Sequence, residues 1–353
     1  MSKAAICVVV PVYKAMATLD RCVESVLAQQ VEGGLTCILV DDGSPDESGA
    51  LCDAWAAKDD RVTVIHQDDL GVSGARNSGL AAADSEFIVF LDSDDALRPG
   101  ALQAALTAQR AAPQDFVVWH YTTDEKDPAA VTADAEPRTQ AGLARLWLDC
   151  LLAMPWNKLY RADLAKQLQF DVQYTLGEDL QFVLDYIALL GQTVPEFGYR
   201  VMTSPLTFYD CSRGGTLSTR YHANYCDIWP KHFAKLNAAC HAAACPAEDM
   251  RPLHRAELQV FAEGVADIMR RDPSPTQRLK GYKAEAALRS PWLRALLERM
   301  KIEHCYSAYY LPCRWHNVGL VCRVDEARRA NAPLYGKLDW AGYYLLLGRM
   351  RRD

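Results

Sequence analysis

Short apolar runs alternate with amphipathic stretches over the first 120 residues. Ile6–Val10, Cys37–Val40, Val62–His66, Phe87–Leu91 and Phe116–Tyr121 are short, rich in β-branched or aromatic residues, and bounded by turn residues. Each predicts a buried strand. Between the first two, Leu19, Cys22, Val23, Val26 and Leu27 recur at i, i+3, i+4, i+7 and i+8. That spacing puts them on one helix face, with Thr18 as the N-cap. Ser48–Lys58 and Ser73–Ala83 predict two more helices, and Pro99 suits the first turn of another running through Arg110. This alternation predicts an α/β fold: a mostly parallel, twisted sheet with helices on both faces.

From Gln140 the texture changes. Leu143, Leu146, Trp147, Cys150 and Leu151 form another helical stripe, and residues 154–160 read as a compact irregular segment. Glu178–Leu190 predicts a helix that opens on two carboxylates, Val194–Tyr209 is strand-rich, and Ser212–Thr219 is a Gly/Ser/Thr loop. Beyond Tyr221 the pattern is mainly helical, with helices expected over 223–243, 250–271, 276–288 and 291–301, the first broken or kinked at Pro230. The expected domains are therefore an α/β region at 1–220 and a mainly helical extension at 221–353.

The 353 residues suit two domains, or one with a large extension. A net charge of -7 argues against a nucleic-acid partner. The charge is uneven: residues 1–130 hold 9 Lys+Arg against 21 Asp+Glu, while 281–353 hold 13 against 7. The acidic front suits metal binding. The basic tail suits a phosphate-bearing acceptor, an anionic membrane surface, or simply solvated helix faces. Twelve cysteines include no C-x-x-C pair. Cys7 and Cys37 lie in apolar runs and Cys22, Cys52 and Cys150 in helical patterns, which predicts buried thiols in a reducing, cytoplasmic setting. Cys305, Cys313, His316 and Cys322 match no common zinc spacing. Ile6–Val10 is too short for a secretion signal and no apolar stretch reaches 18 residues, so a soluble or at most peripheral protein is expected.

Candidate chemistry gathers at strand ends. The run Ile88–Asp95 closes on Asp92, Asp94 and Asp95, three carboxylates in four positions. Like charges this close repel, so either a hard divalent cation shares them or they form a solvated Asp-rich turn. Asp41-Asp42-Gly43-Ser44 ends the second strand, placed to bind ribose hydroxyls or a base edge, or to cap a helix. Pro11-Val12-Tyr13 follows the first strand directly, and Tyr13 is suited to lie against a nucleobase. No G-x-G-x-x-G and no G-x-x-x-x-G-K-[ST] follows it, which speaks against nicotinamide, flavin and P-loop enzymes. Gly71–Gly79 opens a helix with small residues and Arg76, suited to close approach by an anionic ligand or to tight packing.

Together these motifs resemble the family 2 glycosyltransferases, inverting enzymes of the GT-A fold, of the bacterial surface-glycan type. The resemblance rests on V-V-V-P-V-Y at 8–13, V-D-D-G-S at 40–44, G-V-S-G-A-R-N-S-G-L at 71–80 and F-L-D-S-D-D at 90–95, and more weakly on W-N-K-L-Y at 156–160 and G-E-D at 177–179. It covers about the first 220 residues and implies a GT-A-type, Rossmann-like domain. On this resemblance Pro11, Val12, Tyr13, Asp42 and Arg76 line a nucleoside pocket, with Asp41 and Gly71 beside them. Asp92 holds the ribose, the donor sugar or the metal, and Asp94 ligates Mn²⁺ or Mg²⁺. Ser93 and Asp95 make further donor contacts. Asp179 is the catalytic base and Glu178 a supporting acceptor contact; otherwise the pair only complements a helix dipole. Trp156 and Lys158 contribute to the site floor, or to core packing. Arg213 sits on a loop that closes over the diphosphate, or on an exposed turn.

The activity so implied is metal-dependent transfer from a nucleotide-sugar donor, with UDP as the expected nucleotide, to a glycan or lipid-linked glycan acceptor at the cytoplasmic membrane face. Trp340, Tyr343, Tyr344 and Leu345–Leu347 ahead of Arg349, Arg351 and Arg352 suit a peripheral membrane contact, a homo-oligomer contact or a domain-closing helix. Two other functions fit the fold. Sugar-nucleotide pyrophosphorylases usually carry a Gly-rich basic signature where this chain has Pro11-Val12-Tyr13-Lys14. A non-catalytic binding protein is disfavoured by the intact Asp92, Asp94 and Asp179.

Overall fold

The computed structural model describes residues 3–174, 176–211 and 220–331. The chain divides into two units, Met1–Gly214 and Gly215–Asp353. The first begins with three strand–helix repeats and a fourth strand: β1 (Ala4–Val12), α1 (Leu19–Leu27), β2 (Leu35–Asp42), α2 (Ser48–Lys58), β3 (Val62–Gln67), α3 (Gly71–Ala82) and β4 (Ser85–Phe90). β1 pairs in parallel with β2 and β4, and β3 joins β2 in parallel. β1 is covered on both faces, so its sequence is a continuous apolar run rather than an alternation.

The remaining elements are β5 (Ala96–Leu97), α4 (Ala101–Ala111), β6 (Phe116–Thr122), β7 (Ala135–Thr139), α5 (Leu143–Leu148), β8 (Lys158–Arg161), α6 (Ala162–Ala165), α7 (Glu178–Thr193) and β9 (Gly198–Phe208). The sheet order is β3-β2-β1-β4-β8-β6-β9-β5, with β7 also on β9. β8 is antiparallel to both β4 and β6, β9 is parallel to β6, and β5 and β7 run antiparallel to β9. One half of the sheet is thus parallel and the other mixed, with β8 as the joint. The central core packs Val8, Val10, Leu39 and Val89 against Val23 and Val26 of α1.

Several details differ from expectation. Thr18 precedes α1 but does not cap it with its side chain; its hydroxyl donates to the Ala15 carbonyl at 3.4 Å. α4 starts at Ala101 after a left-handed Gly100, so Pro99 lies before the helix, not in its first turn. α5 stops at Leu148, and Cys150 has a φ of 56° and an exposed thiol, because the helical stripe ends before it. Lys158–Arg161 is strand, not irregular chain; its pairings to β4 and β6 lie far away in sequence and leave no local period. β3 is only partly buried because it is the outer strand of its half.

The second unit consists, among the described residues, of α8 (Tyr225–Ala242), α9 (Ala247–Arg271), α10 (Gln277–Leu288), α11 (Pro291–Ile302), α12 (Tyr310–Arg314) and α13 (Val318–Arg329). α8 runs unbroken through Pro230. Thr276, Ser290 and Asn317 cap α10, α11 and α13 by accepting from the backbone N–H three residues on, at 3.2, 3.3 and 3.0 Å. Leu258, Phe261 and Val265 of α9 pack with Leu293, Leu297 and Tyr309 to form a separate core. His254, Glu303 and Cys305 bring three ligand-type atoms within 4.8 Å. Glu303 accepts from His254 Nδ1 at 2.6 Å, and the Arg299 guanidinium lies 3.2 Å from Nε2. A hydrogen-bonded cluster with a fixed cation beside it is a poor place for a second cation. No helix of the described residues is long and apolar enough to cross a membrane.

Candidate active site

The carboxyl ends of β1, β2 and β4 lie side by side, so the chain leaves the sheet in three neighbouring turns. At the end of β1, Pro11 and Val12 are buried, and Tyr13, just beyond it, emerges 44% exposed. Lys14 adopts a φ of 52°, its ammonium 5.0 Å from the Tyr13 ring centre, and its N–H donates to Ser44 Oγ at 3.3 Å. This bond ties the first turn to the second.

The acids after β2 are engaged within the protein. Asp41 accepts from the Ser44 N–H at 3.1 Å and meets His66 Nδ1 at 3.0 Å; His66 Nε2 meets Asp53, also at 3.0 Å. Burial alone would raise the Asp41 carboxyl, but Ser44 and His66 outweigh it and hold it below the ordinary value. Asp42 Oδ1 accepts from Gln67 Nε2 at 2.7 Å and from the Leu70 N–H at 2.9 Å, which fixes the entry to α3. Gly43 allows this, with a φ of 68° and the Asp69 nitrogen only 3.0 Å from where a Cβ would stand. Gly71 has a φ of 77° with open space around it, so conformation rather than crowding calls for glycine there.

Arg76 of α3 is the centre of the site. It is 3% exposed; one guanidinium nitrogen donates to Asp92 Oδ1 at 2.8 Å and the other to Asp179 Oδ1 at 2.7 Å. Burial would push the guanidinium down, and the Asp179 and Asp92 carboxylates override that and keep it charged. It rests 5.4 Å from the Phe170 ring centre. Asn77 pins Phe170 with two reciprocal hydrogen bonds of 2.8 Å, and Phe170 stacks on Phe182 of α7. The aromatic floor thus joins α3 to the helix that carries Asp179.

Asp179 lies in the first turn of α7, after Gly177 in left-handed conformation at φ 78°. Burial, against the pull of Arg76 and helped by Glu178, raises its carboxyl to about 7. Its side chain still keeps 30% exposure, enough to meet a ligand. Glu178 stands beside it, partly exposed.

After β4, Asp92, Ser93 and Asp94 are partly exposed and Asp95 is fully buried. Asp95 Oδ1 accepts from the Asp210 N–H at 3.0 Å, while its Oδ2 is buried without a hydrogen-bond partner. Burial, then Asp92 and Asp94, push this carboxyl up to about 9. A buried orphan oxygen amid two more carboxylates is an all-oxygen donor set that suits a hard divalent cation. Arg21 braces the turn from behind: one nitrogen donates to the Asp94 carbonyl and to Asp210 Oδ2, both at 2.6 Å.

Trp156 is buried and stacks on Tyr209, with ring centres 5.4 Å apart. Lys158 Nζ donates to the Leu151 carbonyl, the Met154 carbonyl and Asn157 Oδ1, at 2.7, 2.5 and 2.6 Å, and is fully enclosed. Burial pushes it well below its ordinary range and Asp179 pulls the other way. Arg213 lies outside the described residues. The structure therefore brings Arg76, Asp92 and Asp179 into direct contact. It leaves Asp41 and Asp42 with local partners and faces Lys158 inward. Sequence reasoning missed Arg21, Asn77, Asp210 and Tyr209. Only Asn77, inside the Gly71–Gly79 motif, had a signal.

Residues 7–169 match the family described as Glycosyl transferase family 2. The amino-terminal unit belongs to that family. The glycosyltransferase GlyG of Streptococcus pneumoniae serotype 4 is 39% identical over 124 residues, which are 35% of this chain and 41% of GlyG. The succinoglycan biosynthesis protein ExoO of Rhizobium meliloti is 31% identical over 211 residues, 54% of this chain and 58% of ExoO. The chain spans about half the length of the curated relatives it matches. Among solved structures, S. aureus TarS 1-349 in complex with UDP-GlcNAc is similar with a TM-score of 0.60, 17% identity, and coverage of 93% of this chain and 92% of that one. The likeness establishes a GT-A-like fold. In this family 2 unit the four amino-terminal motifs lie at the carboxyl ends of β1, β2 and β4 or on α3.

Proposed function

We propose that the protein is an inverting, metal-dependent glycosyltransferase. It takes a sugar from a nucleotide-diphosphate donor, with uridine as the nucleoside, and passes it to a hydroxyl of a surface glycan. The observation that carries this reading is the Arg76 bridge: one buried guanidinium spans Asp92 and Asp179, at 2.8 and 2.7 Å. It holds the acidic turn and a partly exposed carboxylate of raised pKa in one site. The relatives' names support the substrate class: ExoO is a succinoglycan biosynthesis protein, and the TarS structure holds UDP-GlcNAc.

The residues divide the work. Tyr13 offers a ring to the base, and the Asp42 turn shapes the nucleoside pocket. Asp94, with Asp92, would hold Mn²⁺ or Mg²⁺, which when bound supplies positive charge to the departing diphosphate. Asp179 takes the proton of the acceptor hydroxyl. The acceptor oxygen forms its bond to the anomeric carbon from the face opposite the breaking bond to the diphosphate, and configuration inverts. A carboxyl raised to about 7 is matched to this task, since a substantial fraction is deprotonated near neutrality and it is more basic than an ordinary carboxylate. Lys158 and Trp156 act as supports, fixing the segment ahead of β8, rather than as donor contacts.

The test is release of UDP from a panel of UDP-sugars with Mn²⁺ and a microbial glycan acceptor mixture. Wild type should release UDP with at least one sugar, and Asp179→Asn should bind UDP yet release none. Equal release by Asp179→Asn would refute the base assignment. No release with any sugar would favour a non-catalytic binding protein.

A further inference from the structure

The helical unit carries a cavity of about 540 Å³ between α10 and the turn from α12 to α13, lined by Arg278, Tyr282, Glu285, Trp315, His316 and Asn317. Trp315 is 62% exposed and Tyr282 54% exposed. Two large exposed rings that line one hollow are a feature of ligand-binding surfaces.

The hollow is rigidly built. Trp315, His316 and Asn317 form a turn whose N–H groups donate to Leu311, Cys313 and Pro312 carbonyls at 2.9, 3.0 and 2.9 Å. His316 holds a φ of 52°, and Asn317 caps α13. Across the hollow, Arg278 Nε and NH2 donate to the Tyr282 hydroxyl at 3.1 and 3.0 Å, fixing the guanidinium plane near the ring. Arg289 pairs with Glu285 at 2.6 Å. The backbone that presents Trp315, the Arg278–Tyr282 contact and the Glu285–Arg289 pair are thus formed before any ligand arrives.

We propose that this hollow is a saccharide-binding subsite. The negative faces of Trp315 and Tyr282 suit the polarised C–H faces of sugar rings. Arg278, Glu285 and Asn317 offer planar donors and acceptors of the kind that engage vicinal hydroxyls. The lining offers a single guanidinium, Arg278, beside the Glu285–Arg289 pair, which suits a neutral ligand better than a diphosphate. The Glu285 carboxylate in the lining disfavours an anionic membrane surface. That the bound saccharide is the acceptor chain rests on the transferase reading above.

The test uses the full chain without nucleotide or metal. Neutral tetrasaccharides of glucose, galactose, N-acetylglucosamine and N-acetylgalactosamine are titrated and followed by saturation-transfer NMR and calorimetry. At least one should bind, with transfer strongest at ring C–H protons. Trp315→Ala and Tyr282→Ala should each weaken it by about tenfold, Trp315→Phe should retain most of it, and UDP binding with Mn²⁺ should not change. No binding by any tetrasaccharide at millimolar concentration, or binding untouched by the paired alanine variant, overturns the proposal. So does Trp315-dependent flotation with phosphatidylglycerol vesicles in the absence of saccharide binding, which would make this face a membrane contact. Saccharide binding without UDP binding would leave the subsite standing and remove the transferase reading instead.

Discussion

The carboxyl ends of β2 and β4 both finish in adjacent carboxylates, and the two ends have opposite fates. Asp41 and Asp42 are met by Ser44, His66, Gln67 and the Leu70 N–H, all from their own half of the sheet. Asp95 keeps a buried oxygen without a partner, and its carboxyl is pushed up to about 9. The first end completes its own hydrogen bonding. The second keeps a buried carboxyl oxygen that folding alone does not satisfy, beside two further acids. The acids alone do not distinguish these outcomes; the donors brought to them do. At β2 a glycine turn folds its own N–H groups back. At β4 the cation paired with Asp92, Arg76, is shared with Asp179.

The largest effect expected from this contrast is at the shared cation's other partner. Asp179→Asn should lower transfer by about 10²–10⁴-fold with UDP binding nearly unchanged, measured by turnover and calorimetry. Next is the β4 end itself. Asp94→Ala should abolish the Mn²⁺-dependent binding of UDP. Asp42→Ala should instead lower stability by about 1–3 kcal/mol in denaturant titration while leaving the metal requirement intact. If both variants behaved alike, the contrast between the ends would fail.

A third expectation concerns pH. Asp179 must be deprotonated to act, and its carboxyl sits near 7. The kcat/KM should therefore rise with pH below about 7 and level off above it, and a profile flat from pH 5 to 8 would contradict the assignment. The smallest effect is in the helical unit. Burial raises Glu257 to about 8 from an ordinary 4.5, so the folded state binds its proton more tightly than the unfolded chain. Its contribution to stability is fully present below about 4.5 and is lost as pH rises toward 8. Glu257→Gln should flatten the fall in Tm over that window, by a few degrees, of the order that about 1 kcal/mol produces in a chain of this size.

Much of the amino-terminal unit was legible because its signals are local. Ile6–Val10 and Cys37–Val40 are apolar runs closed by turn residues, and α1 shows a clean helical period. The acids and Arg76 sat in recognisable motifs. What could not be read was pairing across distance. Nothing near Lys158 tells that it enters a strand joining two halves of a sheet, or that its ammonium faces carbonyls. Arg21 lies 73 residues from the turn it braces, and in sequence it is one charge on a helix. In the helical unit, buried Glu257 and His254 look like any polar helix positions until the fold surrounds them. Nothing in the sequence around Trp315 tells that the α12–α13 turn presents it to solvent.

The most direct test of the account is calorimetric titration of UDP into the full chain with and without Mn²⁺, repeated on Asp94→Ala. The account predicts binding to wild type that requires Mn²⁺ and is lost in the variant. Equal UDP binding without metal, or Mn²⁺-dependent binding that survives in Asp94→Ala, would contradict the claim that the β4 end is built to hold a cation and a diphosphate.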